Sequence, residues 1–171
     1  MFKKIFLVLF LGANFCFGAI SEDEAQKFII EDEKKSFETL EMLANSGDKV
    51  AQNNLATKYE KGLGVKQDYE KAIYWYEKSA NLGDIVAQYN LATIYYEGKN
   101  VKQDYQKAFY WYEKSAKQGD TLAQNNLAVM YLKAQGVKQD KKMAKELFFK
   151  SCSSGFQTAC DNYRRLNEQG H

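Results

Sequence analysis

Three groups of residues in this chain have types and spacings that chemistry could use. Ser46 and Lys49 form S-x-x-K, the spacing that sets a lysine amine one helical turn from a nucleophilic serine in acyl-transfer enzymes. Cys152 and Cys160 form C-x7-C, two thiols able to join as a disulfide, exchange electrons or ligate a metal. Tyr74, Trp75 and Tyr76 recur as Tyr110, Trp111 and Tyr112, flat rings of the kind that stack on sugars. The surrounding residues argue against most of this chemistry. A serine acyl-enzyme also needs SDN-type and KTG-type elements, and only Ser46 to Lys49 gives S-x-x-K here. Ser46 stands where a helix begins, so capping that helix is its expected role. Two cysteines eight apart and the sole histidine, His171, do not complete a four-ligand zinc shell. That histidine is the last residue, and no C-x-x-C occurs, so redox or Cys-His catalysis is not expected. Carboxylates are abundant, but no pattern pairs two of them across a pocket for glycoside chemistry. No cofactor and no metal are expected.

The elements that position these residues come from a repeat. Gly47 to Leu82 and Gly83 to Gln118 agree at 25 of 36 positions, and Gly119 to Ser154 is a more diverged copy. A period of this size denotes an array of supersecondary units, each burying its apolar face on its neighbours. In the first copy Ala51, Leu55, Ala56 and Tyr59 fall on one helical face, which predicts helix A over about residues 48 to 60. Gly62 and Gly64 break that pattern, and Asp68 is a good N-cap for helix B. Ala72, Trp75, Tyr76 and Ser79 continue at helical spacing until Gly83, whose place fits a helix C-terminus. One copy is therefore a helical hairpin. The aromatic trios read as core, because one side of each must face inward, with Ala56 and Ala72 leaving room for the rings. Asn54, Asn90 and Asn126 recur as amides expected to satisfy loop backbone. Asn100 replaces the Gly64 equivalent and tolerates positive φ, whereas Ala134 replaces the Gly62 equivalent, which predicts a reshaped third loop.

Both ends of the array are legible. Residues Glu24 to Asn45 align with helix B, with Leu40 at the place of Tyr76 and Ala44 at that of Ala80, and read as an N-terminal cap. Residues Phe156 to Asn167 align with helix A, with Ala159 at the place of Ala51 and Tyr163 at that of Leu55, before Gly170 stops the helix. Cys152 and Cys160 stand at the places of Ala80 and Gln88, the end of one helix B and the start of the next helix A. In antiparallel neighbours those positions are close, so a disulfide is expected there.

Lys3, Lys4, the apolar run Ile5 to Leu11 and small residues before a cut after Gly18 read as a secretory signal over residues 1–18. The run is too short for a stable span, so no membrane span remains after signal removal, and an exported, periplasmic or secreted protein is expected. Phe15 before Cys16 argues against a lipid anchor. The expected organisation is a cap over 19–45 and an array over 46–171, divided as 46–82, 83–118, 119–154 and a half repeat 155–171. The full chain has 24 basic and 22 acidic residues, and loss of Lys3 and Lys4 leaves it formally neutral. With no basic block and arginines only at 164 and 165, nucleic acid is excluded as an expected partner.

The string AQxNLAxxYxxGxGVKQDYxKAxxWYxKSA resembles the Sel-one-like repeat family, a relative of the tetratricopeptide repeat. The resemblance covers Ser46 to about Gln169, and the signal with C-x7-C resembles the exported branch of Helicobacter cysteine-rich proteins. That branch carries a cysteine pair in nearly every repeat, whereas this chain has one pair at its last junction. The resemblance implies an all-α, right-handed solenoid of helical hairpins in which helix A lines a concave groove for a protein or peptide. Groove positions carried over are Val50, Asn53, Thr57 and Glu60, then Val86, Tyr89, Thr93 and Tyr96, then Leu122, Asn125, Val129 and Leu132. These positions vary between copies, beside near identity at the packing positions. A protein- or peptide-binding scaffold, monomeric, is the resulting expectation. The branch is also commonly described as β-lactam-binding or β-lactamase, which sets the alternative.

Overall fold

The computed structural model describes residues 22–98 and 100–169; the predicted signal over residues 1–18, Gly170 and His171 lie outside them. The described residues form eight helices and no strand. α1 (Glu22–Asn45) is followed by α2 (Lys49–Lys61), α3 (Tyr69–Asn81), α4 (Ile85–Glu97), α5 (Tyr105–Lys117), α6 (Thr121–Lys133), α7 (Lys141–Ser153) and α8 (Gln157–Glu168). The chain divides into two units, one ending at Thr39 and one from Leu40 onward. In the first, α1 is a solvated helix with an exposed Lys34–Glu38 ion pair at 4.0 Å and with Phe28, Ile29 and Ile30 exposed. The second is an all-α solenoid in which α2–α3, α4–α5 and α6–α7 are hairpins, and α3–α4, α5–α6 and α7–α8 join them.

The helices begin where carboxylates cap them. Asp68, Asp104 and Asp140 take extended backbone, and their side chains accept from amides two or three residues ahead, starting α3, α5 and α7. The helix A starts follow the same rule: Asp48 accepts from the Ala51 amide at 2.7 Å, Asp84 from Ala87 and Asp120 from Ala123. This corrects the role expected of Ser46, whose Oγ instead donates to the Leu43 carbonyl at 2.7 Å, closing the end of α1. The glycine before each of these aspartates, as at Gly83 with φ 81°, takes the left-handed turn that ends the preceding helix. α8 departs from the rule: Phe156 stands where the aspartate would be, and no side chain caps the helix.

Apolar packing follows the helical spacing. Ala56, Ala72, Leu55 and Tyr76 are fully buried, as are Ala92, Ala108 and Leu91, and alanines at these sites let neighbouring backbones approach. Trp75 and Trp111 are also buried, whereas Tyr74 and Tyr110 are about half exposed, each touching its neighbouring tryptophan edge-on at 5.1 and 4.8 Å. Ala44 is buried as its repeat position requires. In α8, Ala159 is buried, but Tyr163 is only partly so and Leu166 supplies the second buried anchor. Ala134 corrects another expectation. It adopts φ 56° and ψ 40°, close to Gly62 and Gly98, and donates to Met130 O as they do to their own helices, so the loop keeps its turn.

At each internal junction one hydrogen bond spans eight residues. The Gln52, Gln88 and Gln124 amides donate to the buried carbonyls of Ala44, Ala80 and Ala116 at 3.0, 3.0 and 3.3 Å. At the last junction Cys152 and Cys160 occupy those same two places and are bonded, with Cα atoms 4.6 Å apart. The disulfide thus joins α7 to α8 where both the glutamine bond and the aspartate cap are missing. Replacing both cysteines by serine will lower stability by about 2 to 3 kcal/mol, with hydrogen exchange rising in residues 154–169 and little in α2–α5. Ala134→Gly will stabilise the fold by about 1 kcal/mol, read as a higher denaturation midpoint, because it relieves a left-handed alanine whose side chain is exposed.

Candidate functional site

The carried-over positions lie in register on α2, α4 and α6. Val50, Val86 and Leu122, one per copy in the first helical turn, are exposed by 53%, 52% and 42%. Asn53, Thr57 and Glu60 follow on α2 and Tyr89, Thr93 and Tyr96 on α4, all partly buried. On α6, Asn125 is buried, and Val129 and Leu132 are partly buried.

Helix B supplies the floor beneath this stripe, which the sequence alone did not indicate. The hydroxyl of buried Tyr76 lies 3.0 Å from Thr57 Oγ1, donates to Glu60 Oε2 at 2.8 Å and receives Asn90 Nδ2 at 3.4 Å. Tyr112 repeats the arrangement with Thr93 at 2.9 Å and with Asn126. In the third copy Phe148 and Val129 replace the tyrosine and threonine together, so the pair loses donor and acceptor at once and leaves neither stranded. The recurrent asparagines thus reach tyrosine hydroxyls of the preceding hairpin and do not serve loop backbone as expected; Asn54, with no hairpin before it, is exposed. Loop backbone is held by other residues: Gln67, Gln103 and Gln139 donate to the carbonyls of Glu60, Tyr96 and Leu132.

The aromatic members cluster in the second copy. Tyr89 lies 5.7 Å from Tyr112, and Tyr96 lies 5.4 Å from Tyr105 and 6.2 Å from Tyr112, ring to ring. Tyr96 also donates to Gln135 Oε1 in the third loop at 3.0 Å. That loop comes close because Gly136 has no side chain: a Cβ there would collide with the Tyr105 carbonyl. Asn53 and Asn125, at the same register two repeats apart, keep buried amide oxygens that have no partner among the described residues. The stripe can therefore offer apolar contact, ring faces and amide groups, and its sole charge is Glu60.

Burial is the first cause raising the Tyr76 and Tyr112 hydroxyls above their ordinary range. Glu60 adds to it at Tyr76, and Tyr112 is pushed up to about 12. Tyr95, whose hydroxyl donates to Glu77 at 3.1 Å, is raised by burial and then by that carboxylate, also to about 12. Among the described residues no group of three His, Cys, Asp or Glu side chains is placed to hold a metal ion. No described helix is long and apolar enough to cross a membrane.

The Sel1 repeat profile matches residues 49–84, 85–120 and 121–156. Among solved structures, a Sel1 repeat protein from Oxalobacter formigenes is 34% identical, covering 77% of this chain and 98% of its own, with a TM-score of 0.72. A protective antigen of uropathogenic Escherichia coli with an SLR fold is 33% identical over 77% of this chain, with a TM-score of 0.74; the match spans 28% of that longer protein. Helicobacter pylori cysteine rich protein B shares the fold at 22% identity and a TM-score of 0.60, covering 78% of this chain and 96% of its own. Among proteins of curated function, none matches the sequence.

A tyrosine proton held more tightly in the folded state stabilises the fold fully below the unfolded value near 10, and that contribution is lost as pH rises toward the folded value. Stability will therefore fall between about pH 10 and 12, and Tyr112→Phe will flatten the slope. Denaturant titrations at stepped pH, read beside tyrosinate absorbance, check both.

Proposed function

The chain belongs to the Sel1 repeat family, a family of helical-repeat scaffolds, and from that footing we propose that it is exported and holds a protein or peptide segment along the stripe of α2, α4 and α6. The observation that carries the reading is the contrast between scaffold and stripe. Packing residues such as Ala56, Ala92 and Ala128 are the same in every copy, whereas the stripe changes from Asn53 to Tyr89 to Asn125 and from Glu60 to Tyr96 to Leu132 on helices of the same length. A repeated scaffold with a varied surface suits recognition of one particular sequence. The stripe's composition favours an extended, largely uncharged segment. Val50, Val86 and Leu122 would meet its apolar side chains, and Tyr89 and Tyr96 would offer rigid ring contact at low entropic cost. The unpaired acceptors of Asn53 and Asn125 would take its backbone N–H groups after a small rotation. Export is supported by the signal-like start and by the disulfide, which persists in oxidising compartments.

Screening a peptide library against the protein tests the reading. Tyr89→Ala will weaken the selected ligand about 10-fold or more, the loss usual for an aromatic anchor. Tyr74→Ala, off the stripe, will leave binding unchanged. Equal affinity in all three proteins would overturn the stripe. Saturable hydrolysis of a chromogenic cephalosporin that vanishes in Ser46→Ala would overturn the scaffold reading itself.

A further inference from the structure

The last helix B keeps only Ala144, Lys150 and Ser151 of the residues its two predecessors share, and four of its replacements fall together around one hollow. Lys141 stands in place of Tyr69 and Tyr105, Lys142 of Glu70 and Gln106, Lys145 of Ile73 and Phe109, and Phe149 of Glu77 and Glu113. In the earlier copies these sites serve the array: Phe109 meets Tyr131 edge-on at 5.3 Å, and Glu77 accepts from Tyr95. In the last copy they line a cavity of about 510 Å³ with Glu146 and Tyr163. Its floor is aromatic, Phe149 and Tyr163 lying 5.4 Å apart, and Lys145 stands over the Tyr163 ring at 6.0 Å. Phe149 is 53% exposed, although glutamate held that place before.

The chemistry that answers such a surface is an apolar side chain flanked by carboxylates on a helix. The same chain carries one. On α1, Phe28 is followed by Glu31 and Asp32 at three and four residues, the spacing that puts side chains on one face. Phe28, Ile29 and Ile30 are exposed, as are Glu31, Asp32 and Glu33. Charge is segregated in the same sense. From Glu22 to Glu41 there are eight carboxylates against three lysines, and from Lys138 to Gln169 seven basic residues against four acidic. We infer that the α7–α8 cavity receives the Phe28–Glu33 turn of α1 from a second copy of this chain. Phe28 would enter over Phe149 and Tyr163, and Glu31 and Asp32 would meet Lys142 and Lys145. The two surfaces differ, so the contact is heterologous and adds copies head to tail. This departs from the monomer expected from sequence and is independent of the stripe on α2, α4 and α6.

Sedimentation velocity on the signal-free chain tests it. In low salt the average mass will rise with concentration, and it will fall toward monomer as salt screens the pairs. Lys142→Glu with Lys145→Glu will hold the protein monomeric, as will Glu31→Lys with Asp32→Lys, each checked for unchanged helicity. An equimolar mixture of the two will associate again, because one retains the acidic helix and the other the basic cavity. A wild-type protein that stays monomeric, association that survives both reversals, or a mixture that stays monomeric would each overturn the inference. So would a monomer whose cavity takes only free acidic peptides.

Discussion

The array depends on how one hairpin is fastened to the next. At each internal junction a glutamine one turn into helix A donates to an alanine carbonyl near the end of the preceding helix, eight residues back. That carbonyl belongs to the last turn of a helix and already accepts the amide of the turn glycine three residues on, Gly47, Gly83 or Gly119, so the glutamine fills its second lone pair. The glutamine thus adds a buried hydrogen bond that ties helix A of one hairpin to the end of the helix before it. A second tie closes each hairpin on itself: Ser79, Ser115 and Ser151 donate to the carbonyls of Lys49, Ile85 and Thr121 at the start of the same hairpin's helix A. With both in place, alanines suffice at the contacts between helices, and close approach supplies the dispersion energy that larger side chains would provide elsewhere.

At the last junction the same fastening is made in another chemistry. Cys152 and Cys160 replace the alanine and the glutamine, so a covalent bond stands where a hydrogen bond stood. Terminal elements have a neighbour on one side only and fray first, which is where a constraint on the open state contributes most. The disulfide is better understood as a junction element of the repeat than as a separate feature of the tail.

The stripe on α2, α4 and α6 is partly used by the fold. Thr57, Glu60 and Thr93 hold the Tyr76 and Tyr112 hydroxyls, and Tyr96 holds the third loop through Gln135. Val50, Val86 and Leu122 make no such polar commitment and project into solvent. The proposed binding stripe and the fold therefore share residues here, and a substitution at Thr57 or Thr93 would remove one partner of a buried hydroxyl, whereas one at Val86 would change only the surface. The coordinated change to Phe148 and Val129 shows how the pair can be altered without stranding either partner.

The sequence by itself determined the repeat, the hairpin, the caps at Asp68, Asp104 and Asp140, the buried faces and the neighbourhood of the two cysteines. These are local or periodic properties: helical spacing marks a buried face, and alignment of copies carries a contact in one junction to the others. It did not reveal the aspartates at 48, 84 and 120 as the helix A caps, although the Gly-Asp step repeated three times was a signal for them. It misassigned the recurrent asparagines, because whether an amide meets loop backbone or a tyrosine in the preceding hairpin depends on where two helices cross. The same holds for Ala134, whose left-handed backbone is set by the closure of the loop against neighbouring structure and overrides the residue's own preference. Tertiary structure alone decided which tyrosine hydroxyls are buried, which positions of the α2, α4 and α6 stripe are already engaged and where a cavity forms, since each follows from distances between segments that sequence spacing does not encode.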